Sequence, residues 1–243
     1  MPVPPDSSGA RRALRSDEVH DDLRRRILGG ALAAGEAVPS ERALAEEFGV
    51  NRHAVREAIK RLQQAGLVVV SQGGATRVLD WQVYGGLDLL GDVAPLLEGA
   101  DRWRTLRSVA EMRASIGADA ARLCAREADE ELLESLPAVV EEMRAATEFE
   151  ERLRAYEVLW LRIVQGSGNL AYRLAFNSLV AARHGEGVTG DIYAAELAHP
   201  EEIAELAQAL ASGDPGASAL CARRTLDRTI AAAEALRKEF EEV

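Results

Sequence analysis

A run of basic side chains just after residue 50 has the residue types and the spacing to contact nucleic acid. Asn51 is a typical helix N-cap and Gly66 a typical helix end, so a helix is predicted from Arg52 to about Ala65. Its apolar stripe, which steps by four and three residues, consists of Val55, Ile59 and Leu62. The basic residues off that stripe are Arg52, His53, Arg56, Lys60 and Arg61.

Arg52 and Arg56 are four residues apart, so they project from the same side of the predicted helix. The forked guanidinium of arginine can donate to both O6 and N7 of guanine in the major groove. Asn51 can cap the helix, contact a phosphate, or do both. The alternative is a solvated basic face without a partner.

The flanking segments predict a winged helix. The predicted elements are a helix from Ser16 to about Leu28, an extended segment Glu36 to Val38, a helix that Ser40 caps and Gly49 ends, and two β-rich runs, Leu67 to Ser71 and Ala75 to Leu79. The tip Gln72-Gly73-Gly74 joins the two runs as a hairpin. Two helices, a turn, a third helix and a hairpin are the order of elements in a winged helix-turn-helix.

Three further residues are candidate DNA contacts. Arg42 lies early in the second helix, whose N-terminus can face a phosphate, although a surface ion pair with Glu46 is the alternative. Gln72 and Gly73 at the hairpin tip suit a minor groove or a phosphate. They are equally compatible with a role in the turn alone.

Charge separates the chain into two parts. The 243 residues carry a net charge of −11, but residues 1–80 hold 12 Lys and Arg against 11 Asp and Glu, so the acidity belongs to the remainder. A DNA site needs only a local basic face. No apolar run approaches the roughly 20 residues of a membrane span, and the start of the chain is unlike a signal peptide. A cytoplasmic protein without membrane contact is therefore expected.

The fold class predicted is mainly α. Residues 1–13 are expected to be a disordered leader, 14–80 a winged-helix DNA-binding domain, 81–97 a linker helix, and 98–243 an all-α bundle that senses an effector and forms a dimer. Breaks within the bundle are expected at Pro137 and at Gly-rich turns. The sequence has no Gly-rich phosphate loop, GxSxG or HExxH motif, so an enzyme is not expected.

Residues 14–80 resemble the DNA-binding domain of the GntR family. The matching stretches are Leu32 to Ala45, Gly49 to Ala58 and Leu62 to Leu67. The resemblance implies a homodimer on a roughly palindromic operator. It implies DNA contacts at Arg42, Asn51, Arg52, His53, Arg56, Gln72 and Gly73. His53 departs from the small residue common at its position, which leaves the base preference open.

The helical remainder is similar to the FadR subfamily, through Glu111-Met112-Arg113, the turn Ser167-Gly168-Asn169 and the stretch 209–214. Most members bind a metal in the bundle through one Asp and three His. The matching positions here are Tyr156, Trp160, Ile203 and Thr225. Only Tyr156 has ligand chemistry, and the C-terminal part has only two histidines, so no metal and no cofactor is predicted.

The chain also resembles the metal-free members of that subfamily, which respond to long-chain acyl-CoA. A pocket without a metal suits a larger, more apolar effector than a small carboxylate. At the positions that face acyl-CoA in those members, Leu226 and Ala233 differ, while Thr229 retains a hydroxyl. A fatty acyl-CoA, another partly apolar effector, or none at all are the alternatives. A metal-dependent sensor of a small carboxylate is the alternative function.

Arg113, on the first helix of the bundle, has two interpretations. It can anchor an acidic group of the effector, or it can form an ion pair across the bundle with one of the many Glu residues.

Overall fold

The computed structural model describes residues 7–71, 74–183 and 189–241, and the chain divides into two compact units, Met1–Leu96 and Leu97–Val243. The elements of the first unit are α1 (Ser7–Leu28), α2 (Glu41–Glu47), α3 (Arg52–Gln64), β1 (Val68–Val70), β2 (Thr76–Val78), α4 (Trp81–Tyr84) and α5 (Leu90–Val93). Three-residue 3₁₀ turns, Leu87–Leu89 and Ala94–Leu96, flank α5. The predicted winged helix is confirmed.

The apolar faces read from the sequence form the core of this unit. Leu23 of α1, Leu44 of α2 and Leu62 of α3 are fully buried. Ser40 and Asn51 cap α2 and α3 as predicted, accepting hydrogen bonds from the backbone N–H of Ala43 and Ala54. Each cap satisfies a backbone donor that the first turn of a helix leaves without a partner.

Helix α1 starts earlier than predicted. It begins at Ser7, nine residues before Ser16, and so includes residues 7–13 of the expected disordered leader. Ser16 is therefore not an N-cap. Its hydroxyl instead donates to the carbonyl of Ala54, at 3.3 Å, which ties α1 to the first turn of α3.

The wing is a short antiparallel hairpin in which Val68 pairs with Val78 and Val70 with Thr76. The predicted extended segment 36–38 lies beside it, because Ala37 forms a bridge with Arg77. The Arg77 guanidinium adds a hydrogen bond to the Gly35 carbonyl. The proposed wing-tip contacts Gln72 and Gly73 lie outside the described residues.

The predicted linker helix, residues 81–97, is instead a series of short helical pieces that pack on the winged helix. Leu89 and Val93 are buried, and Arg24 of α1 forms an ion pair with Asp92. Burial raises the pKa of Asp92, although the charge of Arg24 opposes that shift. The segment therefore belongs to the N-terminal unit.

The second unit is all-helical in the part of the chain that the structure describes. Its helices are α6 (Gly99–Glu127), α7 (Glu130–Ala145), α8 (Phe149–Gly166), α9 (Leu170–Arg183), α10 (Thr189–Leu197), α11 (Pro200–Ala211) and α12 (Pro215–Glu241). Its core is built from α6, α7, α8, α11 and α12, with contributions from α10. Among the described residues, no helix combines the length and the apolar character that crossing a bilayer requires.

Pro137 does not break a helix, contrary to the prediction. It lies inside α7, where it removes one backbone hydrogen bond. Leu136, Val139 and Val140 on either side of it are buried in the core. Tertiary packing therefore holds the helix together across the proline.

Substitution of Gly66, at the end of α3, tests how closely residues 81–84 pack on the winged helix. Gly66 has φ +70°, and a Cβ there would lie 2.6 Å from the Tyr84 carbonyl oxygen. Gly35 has φ +84° with open space around it, so it serves as the matched control. Gly35→Ala should cost about 1–2 kcal/mol from the backbone conformation alone. Gly66→Ala should cost more, as measured by native-state hydrogen exchange at the amides of α3. Equal costs would contradict the close approach.

Candidate functional site

The first candidate site is the exposed basic face of α3. Arg52, His53, Arg56 and Lys60 are all exposed, on the side away from the buried stripe. Arg56 is held by a two-pronged hydrogen bond from Nε to the Glu41 carboxylate, at 2.8 and 3.0 Å. Within the described residues, Arg52 and Lys60 form no ion pair. Arg52 and Lys60 can therefore reach a groove of DNA without giving up an ion pair.

The turn before α3 positions its N-terminus. Gly49 has φ +61°, a left-handed conformation that glycine adopts without strain. The Asn51 Oδ1 atom accepts from the Ala54 N–H at 2.9 Å, so its amide NH₂ remains available to donate to a phosphate. Cap and phosphate contact are thus compatible.

Arg42 has the ion pair named as its alternative role. Its Nε donates to Glu46 Oε1 at 2.9 Å, one turn along α2. Both side chains are exposed, so this pair contributes little to stability and can exchange for a phosphate. Arg42 remains a predicted phosphate contact.

The second candidate site is centred on a buried carboxylate, Glu196 of α10. Arg113 of α6 donates to it through both terminal nitrogens, Nη1 to Oε1 at 2.8 Å and Nη2 to Oε2 at 3.0 Å. The Tyr156 hydroxyl of α8 donates to Oε2 at 2.7 Å, and the Thr229 hydroxyl of α12 donates to Oε1 at 2.5 Å. Four hydrogen bonds use the four lone-pair positions of the carboxylate. One side chain thus joins four helices.

The surroundings of Arg113 favour its charged form. The Glu196 side chain is fully buried, and that of Arg113 is 10% exposed. Burial strongly favours a lower pKa for Arg113, but the charge and hydrogen bonds of Glu196, together with Tyr193 and Tyr156, outweigh it and raise that pKa above its ordinary value. Burial, together with the Glu196 charge, also raises the pKa of Tyr156 well above 10, so its hydroxyl remains a donor. The guanidinium lies 4.7 Å from the centre of the Tyr193 ring, a favourable cation–π contact.

An apolar cleft adjoins the network. Its enclosed volume is about 50 Å³, and its mouth opens to solvent. Its described lining comes from α6, α8, α9, α10 and α12 and includes Ile116, Trp160, Phe176, Leu179 and Leu226. On its rim, the Tyr172 hydroxyl donates to Asp119, which ties α9 to α6.

Trp160 brings the one unsatisfied donor among the described residues of the lining. Its indole Nε1 is buried and forms no hydrogen bond, although it lies near enough to the Tyr156 hydroxyl to favour ionisation of that group. A buried N–H without an acceptor is costly, so a ligand oxygen at this point would remove a penalty.

The structure brings some of the predicted effector residues together and separates others. Arg113, Tyr156 and Thr229 converge on Glu196, and Trp160 lines the cleft. Ile203 and Thr225 are fully buried but are not among the described residues that line it. These six remain predictions as effector contacts.

Leu226 lines the cleft and packs against α6. A Cβ at Gly117 of α6 would lie 2.4 Å from the Leu226 Cδ1 atom. The missing side chain at Gly117 therefore lets Leu226 pack directly on α6.

Sequence reasoning missed Glu196. The ion pair it forms with Arg113 is the second of the two interpretations given to that arginine, but the partner was not identified. The available signal was an isolated carboxylate within the apolar stretch from Ile192 to Leu197. A buried acid in such a stretch needs a cation, and Arg113 is 83 residues away in the chain.

The residues at the positions of the subfamily's metal ligands do not fit a divalent ion. They offer a phenol, an indole, an alkyl group and a hydroxyl, and the phenol of Tyr156 already donates to Glu196. The Glu196 carboxylate has no lone pair left for an ion. Among the described residues, no three His, Cys, Asp or Glu side chains come together as a metal site.

Each of the two units matches a known protein family. Residues 15–78 match the model of the bacterial regulatory proteins of the gntR family, and residues 108–228 match the FCD domain. The regulator Mce2R of Mycobacterium tuberculosis is 36% identical over 216 residues, which cover 87% of this chain and 88% of that one. The chain belongs to the GntR family.

As a GntR-family protein, the chain is a DNA-binding transcriptional regulator with a C-terminal FCD effector-binding domain, and it is not an enzyme. A fatty acid metabolism regulator protein of Serratia proteamaculans is 31% identical over 149 residues, 60% of this chain and 59% of that one. In fold, the chain is similar to the Lar regulator of Listeria monocytogenes, with a TM-score of 0.57, 21% identity, and coverage of 91% and 97% of the two chains.

The α3 face predicts the effect of a single substitution on operator binding. Arg56→Ala should weaken binding to a duplex that the chain selects from a random pool by roughly 1–3 kcal/mol. Fluorescence anisotropy at fixed salt measures this. Arg223→Ala is the matched control, because Arg223 is likewise exposed and ion-paired, to Asp227 at 2.8 Å, but lies on α12. Equal affinities for Arg56→Ala and the control would contradict the assignment of α3 as the reader.

Proposed function

We propose that this regulator binds a roughly palindromic operator as a homodimer and releases it when the uncharged, largely apolar end of an effector enters the cleft beside Arg113 and Glu196. The best candidate is the acyl chain of a fatty acyl thioester, as in acyl-CoA. The observation that carries this proposal is an apolar cleft whose lining includes Trp160, with its unsatisfied Nε1–H donor.

The DNA-reading part of the proposal rests on the geometry of α3. Arg52 and Arg56 are exposed near the N-terminus of α3, and Lys60 lies further along the helix. The N-terminal residues of a recognition helix are those that reach base edges. Asn51 keeps a free amide for the backbone, and Arg42 can exchange its partner for a phosphate. Base contacts then specify the site while phosphate contacts position the helix.

The homodimer is supported by exposed apolar side chains in the C-terminal unit. Leu170 and Leu174, four residues apart on α9, are 71% and 58% exposed. Leucines on one helix face that remain in water are typical of a surface that binds another protein. We propose that a second copy of the chain covers them.

The effector class follows from the lining of the cleft. Its apolar side chains suit an acyl chain, and Trp160 can donate to the carbonyl oxygen of an ester or thioester. The similarity to a fatty acid metabolism regulator points to the same class of compound. The alternative of a small carboxylate held by a metal has no support in this cleft, since Glu196 is saturated.

Ligand binding can affect the winged helix through a shift of α6. This helix lines the cleft and follows directly in the chain after the short helices at 87–96, which pack on the winged helix. A shift of α6 would change the spacing of two readers on their half-sites. A few kcal/mol of difference in ligand affinity between the two states is enough to change operator occupancy.

Titration of the selected operator tests this proposal. At stoichiometric concentration, two chains should bind each duplex. Decanoyl-CoA should then lower operator affinity by at least about tenfold, because the ligand favours the released state. CoA alone is the control. One chain per duplex would contradict the homodimer, and an equal response to CoA would contradict acyl recognition.

A further inference from the structure

The cleft has almost no free charge with which to recognise an ion. Of its described lining residues, only Arg113 and Glu157 are charged. Arg113 is the one cation among them, and both of its terminal nitrogens donate to Glu196. An anionic ligand would therefore find no unpaired positive charge in the described part of the cleft.

We propose that Glu196 acts as a built-in carboxylate that occupies Arg113, so that the cleft selects uncharged acyl compounds over free acids. This inference rests on the proposed function in so far as the cleft binds the effector. It adds the reason why an ester or thioester is accepted while the corresponding acid is rejected.

The contacts that Glu196 receives are those that a bound carboxylic acid would need. They comprise a parallel two-bond contact from a guanidinium, a phenol hydroxyl and a threonine hydroxyl, all at 2.5–3.0 Å. An acid could take this place only by displacing Glu196. The displaced carboxylate would then be buried without its cation, which is strongly unfavourable.

Trp160 adds a neutral donor to the lining of the cleft. Its indole is only 5% exposed, lines the cleft and has an unpaired Nε1–H. An indole N–H carries no net charge, so it satisfies a neutral carbonyl oxygen without neutralising an acid. The lining of the cleft thus includes an unpaired neutral donor, whereas its one described cation is paired with Glu196.

Removal of Glu196 should expose the carboxylate site. The full-length Glu196→Ala variant leaves Arg113 buried without its partner, in a space that acetate can fill. Acetate should raise the melting temperature of this variant by at least about 3 °C, since ligand binding to the folded state stabilises it. Acetamide has the same shape without the charge, and chloride supplies the same ionic strength, so neither should do so. The wild type should not respond to acetate.

The wild type gives a second measurement that needs no variant. Calorimetric titration should show methyl octanoate binding at least about tenfold more tightly than octanoate, a difference of about 1.4 kcal/mol. Glu196→Gln, which keeps the volume of the side chain but not its charge, should reverse this preference. This variant also serves if Glu196→Ala does not fold.

The outcomes separate this inference from the proposed function. If acetate and acetamide stabilise Glu196→Ala equally, or if the wild type binds octanoate as tightly as methyl octanoate, the inference is wrong. If the wild type binds neither octanoyl compound while acetate alone rescues Glu196→Ala, Glu196 does occupy Arg113. In that case the proposed acyl effector is wrong.

Discussion

The C-terminal unit is organised around the buried contact between Arg113 and Glu196. Neither charge is tolerable there alone, because the energy lost on leaving water must be recovered from the partner. The Tyr156 and Thr229 hydroxyls satisfy the remaining lone pairs, so α6, α8, α10 and α12 are held by one carboxylate. Because of this arrangement, the described lining of the neighbouring cleft holds no unpaired cation.

In this respect the chain departs from the metal-binding pattern implied by its resemblance to the FadR subfamily. There, a divalent ion joins helices of the bundle and can hold a carboxylate ligand directly. Here, an ion pair with two hydroxyl donors joins the helices and covers its own cation. Tyr156 stands at a metal-ligand position and takes part in the new network instead. The change of crosslink therefore goes with a change in the chemistry that the cleft can recognise.

Local features of the fold were predictable because they depend on residues close together in sequence. Asn51 and Ser40 are N-caps whose partners lie three residues away, and Gly49 and Gly66 end helices through positive φ. The incorrect predictions concern features that depend on residues far apart in sequence. Packing against the core keeps α7 intact through Pro137, which a local rule predicts as a break.

The two candidate sites also differ in how far the sequence alone could predict them. The basic face of α3 follows from helical periodicity alone, so its members could be named from the sequence. The cleft depends on side chains from five helices. Arg113, Tyr156 and Thr229 are predicted effector contacts, but finding their common partner, Glu196, requires knowledge of how α6 and α10 pack. No spacing rule connects two residues 83 positions apart.

A double-mutant cycle on Arg113 and Glu196 tests the central claim most directly, with the free energy of unfolding of the C-terminal unit measured by native-state hydrogen exchange. The single variants Arg113→Met and Glu196→Leu should each lose about 3–5 kcal/mol, because each leaves a buried charge without its partner. The double variant should lose much less than the sum of these two costs, since both charges are then gone. Additive losses would show that the two side chains do not depend on each other and would contradict the account.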